Sequence, residues 1–272
     1  LLVAMFWSPF YRPLPMNLWN QKTVVITGGS AGLGKEIALA FLHRQANVVV
    51  IARQEEALAQ LRSETSNQIH TYQCDVTCDD SVQRLVTQLS TDFEQIDLWV
   101  NNVGKSCRGQ AQHTTVDEFE ELLNINFLSV VRCTLAILPR LIESGGTLVN
   151  IGSLASKIGG MFVGGYPASK FPLAAYSQQL RMELAADSVH VLFVCPGPIG
   201  RTHPKTTDYD LPHDIPTAAG RPGGGVRLKL IDPKRLAQQI IRACEKKKLE
   251  LVVPRSAKLL FAISQIFPRL GD

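Results

Sequence analysis

A single doubly wound α/β domain, built on a parallel sheet of about seven strands, is the fold class this sequence predicts. Three observations predict it. Short runs rich in Val and Ile alternate with segments that are apolar at helical spacing, from Lys22 to about Pro254, and no linker interrupts them. A glycine-rich turn, Thr27-Gly28-Gly29-Ser30-Ala31-Gly32-Leu33-Gly34, joins the first such run to the first helical segment. The 272 residues suffice for one large α/β domain or two small ones, and the missing linker favours one.

Strands are predicted at 22–27, 47–52, 69–74, 96–101, 146–151, 189–194 and 249–253. The first, Lys22-Thr-Val-Val-Ile26, has the β-branched composition of a strand buried on both faces. The turn after it leads into Lys35-Glu-Ile-Ala-Leu-Ala-Phe-Leu42, apolar at helical spacing. Strand, glycine turn and helix together make a dinucleotide site: glycines let the backbone approach a pyrophosphate, and the helix N-terminus faces it.

The second strand ends at Ala52 and Arg53 follows at once. A carboxylate in this region would bond a ribose 2′-hydroxyl, whereas an arginine accommodates a 2′-phosphate. The expected cofactor is therefore NADP(H), with a solvated helix-start arginine as the plain alternative. Asp75, at the end of the third strand beside Val76, suits either an adenine contact or a cap for the helix starting near Asp79. Asn101, Asn102 and Gly104 end the fourth strand, where a backbone passing close to a ribose suits glycine.

The second half carries a proton-transfer set. Tyr166 and Lys170 stand four residues apart, so a helix puts them on one face, and Ser153 lies thirteen residues before the tyrosine. A lysine ammonium beside the phenol favours phenolate. Tyrosine titrates near ~10, so acid–base work at neutral pH needs roughly 4 kcal/mol of phenolate stabilisation, more than one lysine supplies. The Ser153 hydroxyl and a cationic oxidised nicotinamide are expected to help. Pro172, two residues after Lys170, predicts a helix that starts near Gly165–Pro167 and tolerates a kink.

These motifs, with Asn126 in Asn124-Ile125-Asn126-Phe127 and Cys195-Pro196-Gly197-Pro198, stand in the order and spacing of the short-chain dehydrogenase/reductase family, which the chain resembles over nearly all its length. The resemblance implies a Rossmann fold and an oxidoreductase. It implies Tyr166 as general acid/base, Ser153 polarising the carbonyl, Lys170 lowering the tyrosine pKa and binding the nicotinamide ribose, and Asn126 completing a proton relay through water. Cofactor contacts are implied at Thr27, Gly28, Ser30, Gly32, Leu33 and Gly34. Further ones fall on Arg53, Asp75, Val76, Asn102 and Gly104, and on Pro196, Gly197, Ile199 and Thr202. The nearest branch is that of hydroxysteroid dehydrogenases and 3-ketosphinganine reductases, implying a hydrophobic lipid- or steroid-like ketone or alcohol. Two positions depart from the pattern: Ala31 stands where NADP-preferring members often carry a base, and Thr202 falls one residue late for a carboxamide contact. The helices near 115–142 and 166–186 resemble the family's dimer-forming pair, implying a homodimer or homotetramer. A non-catalytic NADP(H)-binding regulator is the rival reading, and the full Ser153, Tyr166, Lys170 and Asn126 set speaks against it.

Three regions are expected: an apolar extension at 1–20, the nucleotide-binding domain at 21–254, and an amphipathic segment at 255–272. Within the domain, a lid at about 198–231 includes apolar Leu211, Ile215, Val226 and Leu228 and a glycine hinge at Gly223-Gly224-Gly225; Lys105 to Gln112 form the facing wall. The extension is too short to span a bilayer, and a chain beginning at Leu1 is also what removal of an anchor would leave. Either end suits packing on its own domain or a mate, or peripheral membrane contact. A net charge of +4 is too mild and dispersed for nucleic acid, and Lys246-Lys247-Lys248 reads as a solvated helix end. Six scattered cysteines without zinc spacing indicate free thiols in a reducing, cytoplasmic compartment, and no metal site is expected.

Overall fold

The computed structural model describes residues 17–200, 215–220 and 229–271. Seven strands form its sheet: β1 (Thr23–Thr27), β2 (Asn47–Ala52), β3 (His70–Gln73), β4 (Leu98–Asn101), β5 (Thr147–Ile151), β6 (His190–Pro196) and β7 (Glu250–Val253). Their order is β3-β2-β1-β4-β5-β6-β7, with every neighbouring pair parallel. The order therefore reverses between β1 and β4, and in such sheets the crevice at that point binds the ligand.

Both faces of the sheet are covered, which is why β1, β5 and β6 are buried along their whole length and read as continuous apolar runs. On one face α1 (Gly32–Leu42), α2 (Glu55–Glu64) and α7 (Pro233–Glu245) place Ile37, Phe41, Leu58, Leu236 and Ile240 over Val24 and Ile26. On the other, α3 (Asp79–Asp92), α5 (Ser129–Ser144) and α6 (Tyr166–Glu183) place Leu85, Ile137, Leu141 and Leu180 over Val25, Trp99 and Leu148. A third cluster, with Leu173, Phe193, Cys195 and Val252, lies under the start of α8 (Ala257–Ile266), which α9 (Pro268–Gly271) follows.

α4 (Val116–Leu123) opens on a capping box between Thr115 and Glu118 and passes through a turn of π-helix, Asn124–Leu128, into α5. The continuous span Val116–Ser144 is long and apolar enough to cross a membrane by length and composition. In this fold its buried side packs on the sheet. α5 closes at Gly145, whose φ of 57° a side chain would strain. α6 starts at Tyr166 with Pro167 in its first turn, as the sequence predicts, and Pro172 is accommodated inside it. Buried Leu173, Ser177 and Leu180 just beyond anchor the helix across the missing N–H.

The domain's packing begins earlier than residue 21. Trp19 is 9% exposed, stacks edge-on against Phe41 with centroids 5.0 Å apart, and donates from its indole N–H to Glu245 at 3.0 Å. It belongs to the core between α1 and α7 rather than to an extension. The apolar stretch 1–16, the hinge at 223–225 and Leu211, Val226 and Leu228 lie outside the described residues. The two flanks of the predicted lid are inside them: Ile231 N–H donates to Pro198 O and Gly200 N–H to Ile231 O, both at 2.8 Å, and Ile199 pairs with Ile231.

Candidate active site

Every sequence-predicted site residue among the described residues sits at or just beyond the carboxyl ends of the strands. At the switch point the glycine turn folds tightly. Gly28 has φ +64° and donates to Ile51 O at 2.7 Å. A Cβ on Gly34 would lie 2.3 Å from Gly28 O and 2.5 Å from Asn102 Nδ2. Asn102 stitches β4 to the turn, donating from Nδ2 to Thr27 O (3.2 Å) and Gly28 O (3.1 Å) and from its N–H to Thr27 Oγ1 (3.0 Å). Gly32, φ +54°, would present a Cβ to open space. No side chain caps α1 and its first turn holds no acid, so its N-terminal amides face outward beside Ser30 and buried Leu33. An open glycine cradle at an uncapped helix start fits a pyrophosphate.

Arg53 is exposed just past β2, its carbonyl accepting from Gln73 Nε2 at 3.0 Å. Asp75 does not cap α3, whose N-cap is Cys78. It accepts instead from Thr77 Oγ1 (2.7 Å) and N–H (2.9 Å), and these bonds, with a smaller contribution from the Arg53 charge, hold its carboxyl below the usual range. Val76 is buried in the core beside it.

The residues predicted to transfer protons lie around the ends of β4 and β5. Lys170 is 3% exposed, and its Nζ donates to Ile151 O at 3.1 Å; burial lowers its pKa from 10.5 to about 8. A Cβ on Gly104 would lie 3.1 Å from Asn126 Oδ1 and 3.3 Å from Lys170 Nζ, so a side chain here would press both to give by a few tenths of an ångström. Asn126, fully buried in the π turn, accepts from Lys105 N–H (2.8 Å) and donates to Lys105 O (2.8 Å) and Ser169 Oγ (2.9 Å). Ser169 in turn donates to Tyr166 O at 2.8 Å. Tyr166 is half-buried at the start of α6. Ser153 Oγ accepts from Ala155 N–H at 3.1 Å, which leaves its own proton for another acceptor.

The wall at 105–112 is fastened to the segment before Tyr166. Gly164 N–H donates to Gly109 O (2.8 Å) and Gly109 N–H to Phe162 O (3.3 Å). Cys107 donates from Sγ to Val163 O (3.1 Å); burial raises its thiol pKa, against the opposing effect of the Tyr166 and Gly165 N–H groups. Sequence reasoning missed Cys107, Ser169 and Gly165, where a Cβ would meet the Phe119 ring at 2.8 Å. On the far side, Gly197 N–H donates to Val253 O at 2.7 Å beside Pro196. Thr202 lies outside the described residues. Among the described residues no cluster of His, Cys, Asp and Glu could hold a metal ion.

An uncapped glycine cradle at the switch point, with Ser153, Tyr166, Lys170 and Asn126 placed near the ends of β4 and β5, is the arrangement expected of a nucleotide-dependent oxidoreductase. Comparison with known proteins agrees: the model of the short chain dehydrogenase family matches residues 22–209, and the chain belongs to that family of oxidoreductases. The ketoacyl reductase HetN of Nostoc sp. is 32% identical over 271 residues, covering 94% of this chain and 89% of that protein. The 3beta-hydroxysteroid dehydrogenase dhs-16 of Caenorhabditis elegans is 34% identical over 65% of this chain and 49% of its own length. A short-chain dehydrogenase structure from Streptomyces avermitilis superposes with a TM-score of 0.79 at 26% identity, covering 92% of this chain and 95% of that one.

Proposed function

We propose that the protein interconverts a ketone and a secondary alcohol on a hydrophobic, lipid- or steroid-like substrate, using NADP(H). The observation that carries this reading is the buried Lys170 ammonium, held by Ile151 O and Gly104's close approach, one helical turn from Tyr166. The glycine turn at Thr27–Gly34 with Ser30 and Leu33 holds the pyrophosphate, Asp75 and Val76 face the adenine, and Asn102, Gly104, Pro196, Gly197 and Ile199 line the path to the nicotinamide. Arg53 meets the 2′-phosphate, since Ala52 offers no carboxylate to bond a 2′-hydroxyl. Bound NADPH supplies the hydride. Ser153, its oxygen fixed by Ala155 N–H, donates to the substrate carbonyl and polarises it. Tyr166 delivers the proton to the same oxygen, and Lys170 stabilises the phenolate that remains. Asn126 holds the wall at Lys105 against the catalytic helix and serves the water relay to that site.

Two relatives whose names give a ketoacyl and a 3β-hydroxysteroid substrate support an apolar carbonyl compound. Exposed Leu128 at the end of the π turn, Leu135 and Ile142 on α5 and Phe171 and Met182 on α6 support a homodimer through these helices, checked by mass in light scattering. The test of function is NADPH consumption against ketones from small polar compounds to steroids and long-chain 3-oxo compounds. Turnover that falls ~10²–10⁴-fold in Tyr166→Phe, with NADPH binding retained, is the expected result. Tight NADPH binding without turnover of any ketone would favour the regulator, and near-full activity in Tyr166→Phe would refute the mechanism.

A further inference from the structure

α8 is apolar around most of its circumference, yet the described residues cover only one side of it. Ala257 and Phe261 pack against the cluster of Phe193 and Val252. The opposite side carries Leu259, Ile263 and Ile266 at i, i+4 and i+7, a single stripe, extended by Phe267. Leu259 is 68% exposed, Ile266 67% and Phe267 57%. A helix with a covered face and a second apolar face turned outward lacks the polar side that a water-facing helix has.

The charges on and beside this helix are mostly basic. From residue 250 to 272 the sequence carries Arg255, Lys258 and Arg269, all exposed, against two acids, Glu250 on β7 and Asp272. Glu250 is already paired with Lys157 at 2.9 Å. We propose that α8 docks this protein on an anionic lipid surface, its leucine and isoleucine stripe sunk among the acyl chains and Lys258 and the arginines over the headgroups. A surface that is apolar at its centre, mainly basic at its rim and carried on one short helix has the chemistry of that partner. The docking face also sits at the site's end of the sheet: α8 follows β7, whose Val253 carbonyl accepts the N–H of Gly197.

The experiment is co-sedimentation of the full chain with phosphatidylcholine vesicles and with vesicles that also contain phosphatidylserine. Binding is expected to the mixed vesicles only, with the bound fraction falling roughly tenfold in raised salt or in Arg255→Glu/Lys258→Glu. The pair Leu259→Asp/Ile266→Asp, at positions already in water, is expected to abolish sedimentation while leaving the unfolding midpoint unchanged. No binding to either vesicle, equal binding to neutral ones, or binding that survives Leu259→Asp/Ile266→Asp would overturn the proposal. So would a loss of mass in light scattering for that pair with no vesicle binding by the parent chain, which would assign the face to a second copy.

Discussion

Lys170→Met tests the electrostatic state of the site through folding rather than turnover. Lys170 is 3% exposed, and burial moves its pKa from 10.5 to about 8. A displacement of that size corresponds to about 3 kcal/mol against the charged form. The sign follows from linkage. Between about pH 8 and 10.5 the folded chain has released this proton and the unfolded chain still binds it, so stability rises with pH in that window. Below pH 8 the whole cost is present. Methionine removes it but leaves Ile151 O without the Nζ donor, a loss of about 1–3 kcal/mol. The variant should therefore equal or exceed the parent by up to about 2 kcal/mol at pH 7 and fall below it near pH 10.5. Urea unfolding of both chains without nucleotide measures this, because groups common to both cancel in the difference. A parent–variant difference that stays constant from pH 7 to 10.5 would refute the burial and charge assigned to Lys170. The same variant should bind NADPH more weakly.

Gly34→Val should abolish NADPH binding, read by quenching of protein fluorescence, and lower the melting temperature, because the added Cβ lands 2.3 Å from a main-chain carbonyl that cannot move aside. Gly32→Ala is the paired control: it meets nothing within 4 Å, so its cost is confined to backbone strain at φ +54°, about 1 kcal/mol. Arg53→Ala should raise the Kd for NADPH by about 10–100-fold, the worth of a charge-assisted contact, and leave that for NADH unchanged. Equal losses for the two nucleotides would remove Arg53 from cofactor choice.

Local periodicity made the sheet readable. The strands are short Val/Ile runs between helical segments, so their existence and order along the chain follow from pattern alone, with β3 and β4 each two residues shorter than predicted. The glycine turn and the Tyr166–Lys170 spacing are likewise local signals. What stayed illegible depends on distant partners. Trp19 reads as part of an apolar extension until Glu245, 226 residues away, is seen to accept from its indole. Asp75 is equally good as a cap or a ligand in sequence, and its bonds to Thr77 two residues on, with Cys78 at the start of α3, rule out the cap. Ser169 and Cys107 carry no motif, since their meaning comes from lying against Asn126 and the start of α6.

Asn126 is where sequence and structure ask for different experiments. Family resemblance implies a relay through water, which needs spare hydrogen-bonding capacity at this residue. Its side chain has little: both amide protons are taken, by Lys105 O and Ser169 Oγ, and Oδ1 already accepts from Lys105 N–H. The side chain is therefore a brace that ties the segment after β4 to α6, and any relay runs through the second lone pair of Oδ1 or the main chain. Asn126→Leu keeps the volume and strands three polar groups, one of them the hydroxyl of Ser169, which also bonds Tyr166 O. At about 1–3 kcal/mol for each group left unmet, a loss of roughly 3–9 kcal/mol is expected, a large share of a domain's typical 5–15. Urea unfolding should show that loss, and NADPH binding should weaken with it because Gly104 and Lys105 lose their register. If Asn126→Leu instead kept its unfolding free energy and its nucleotide affinity while turnover collapsed, the brace would be wrong and the relay would be the residue's whole role.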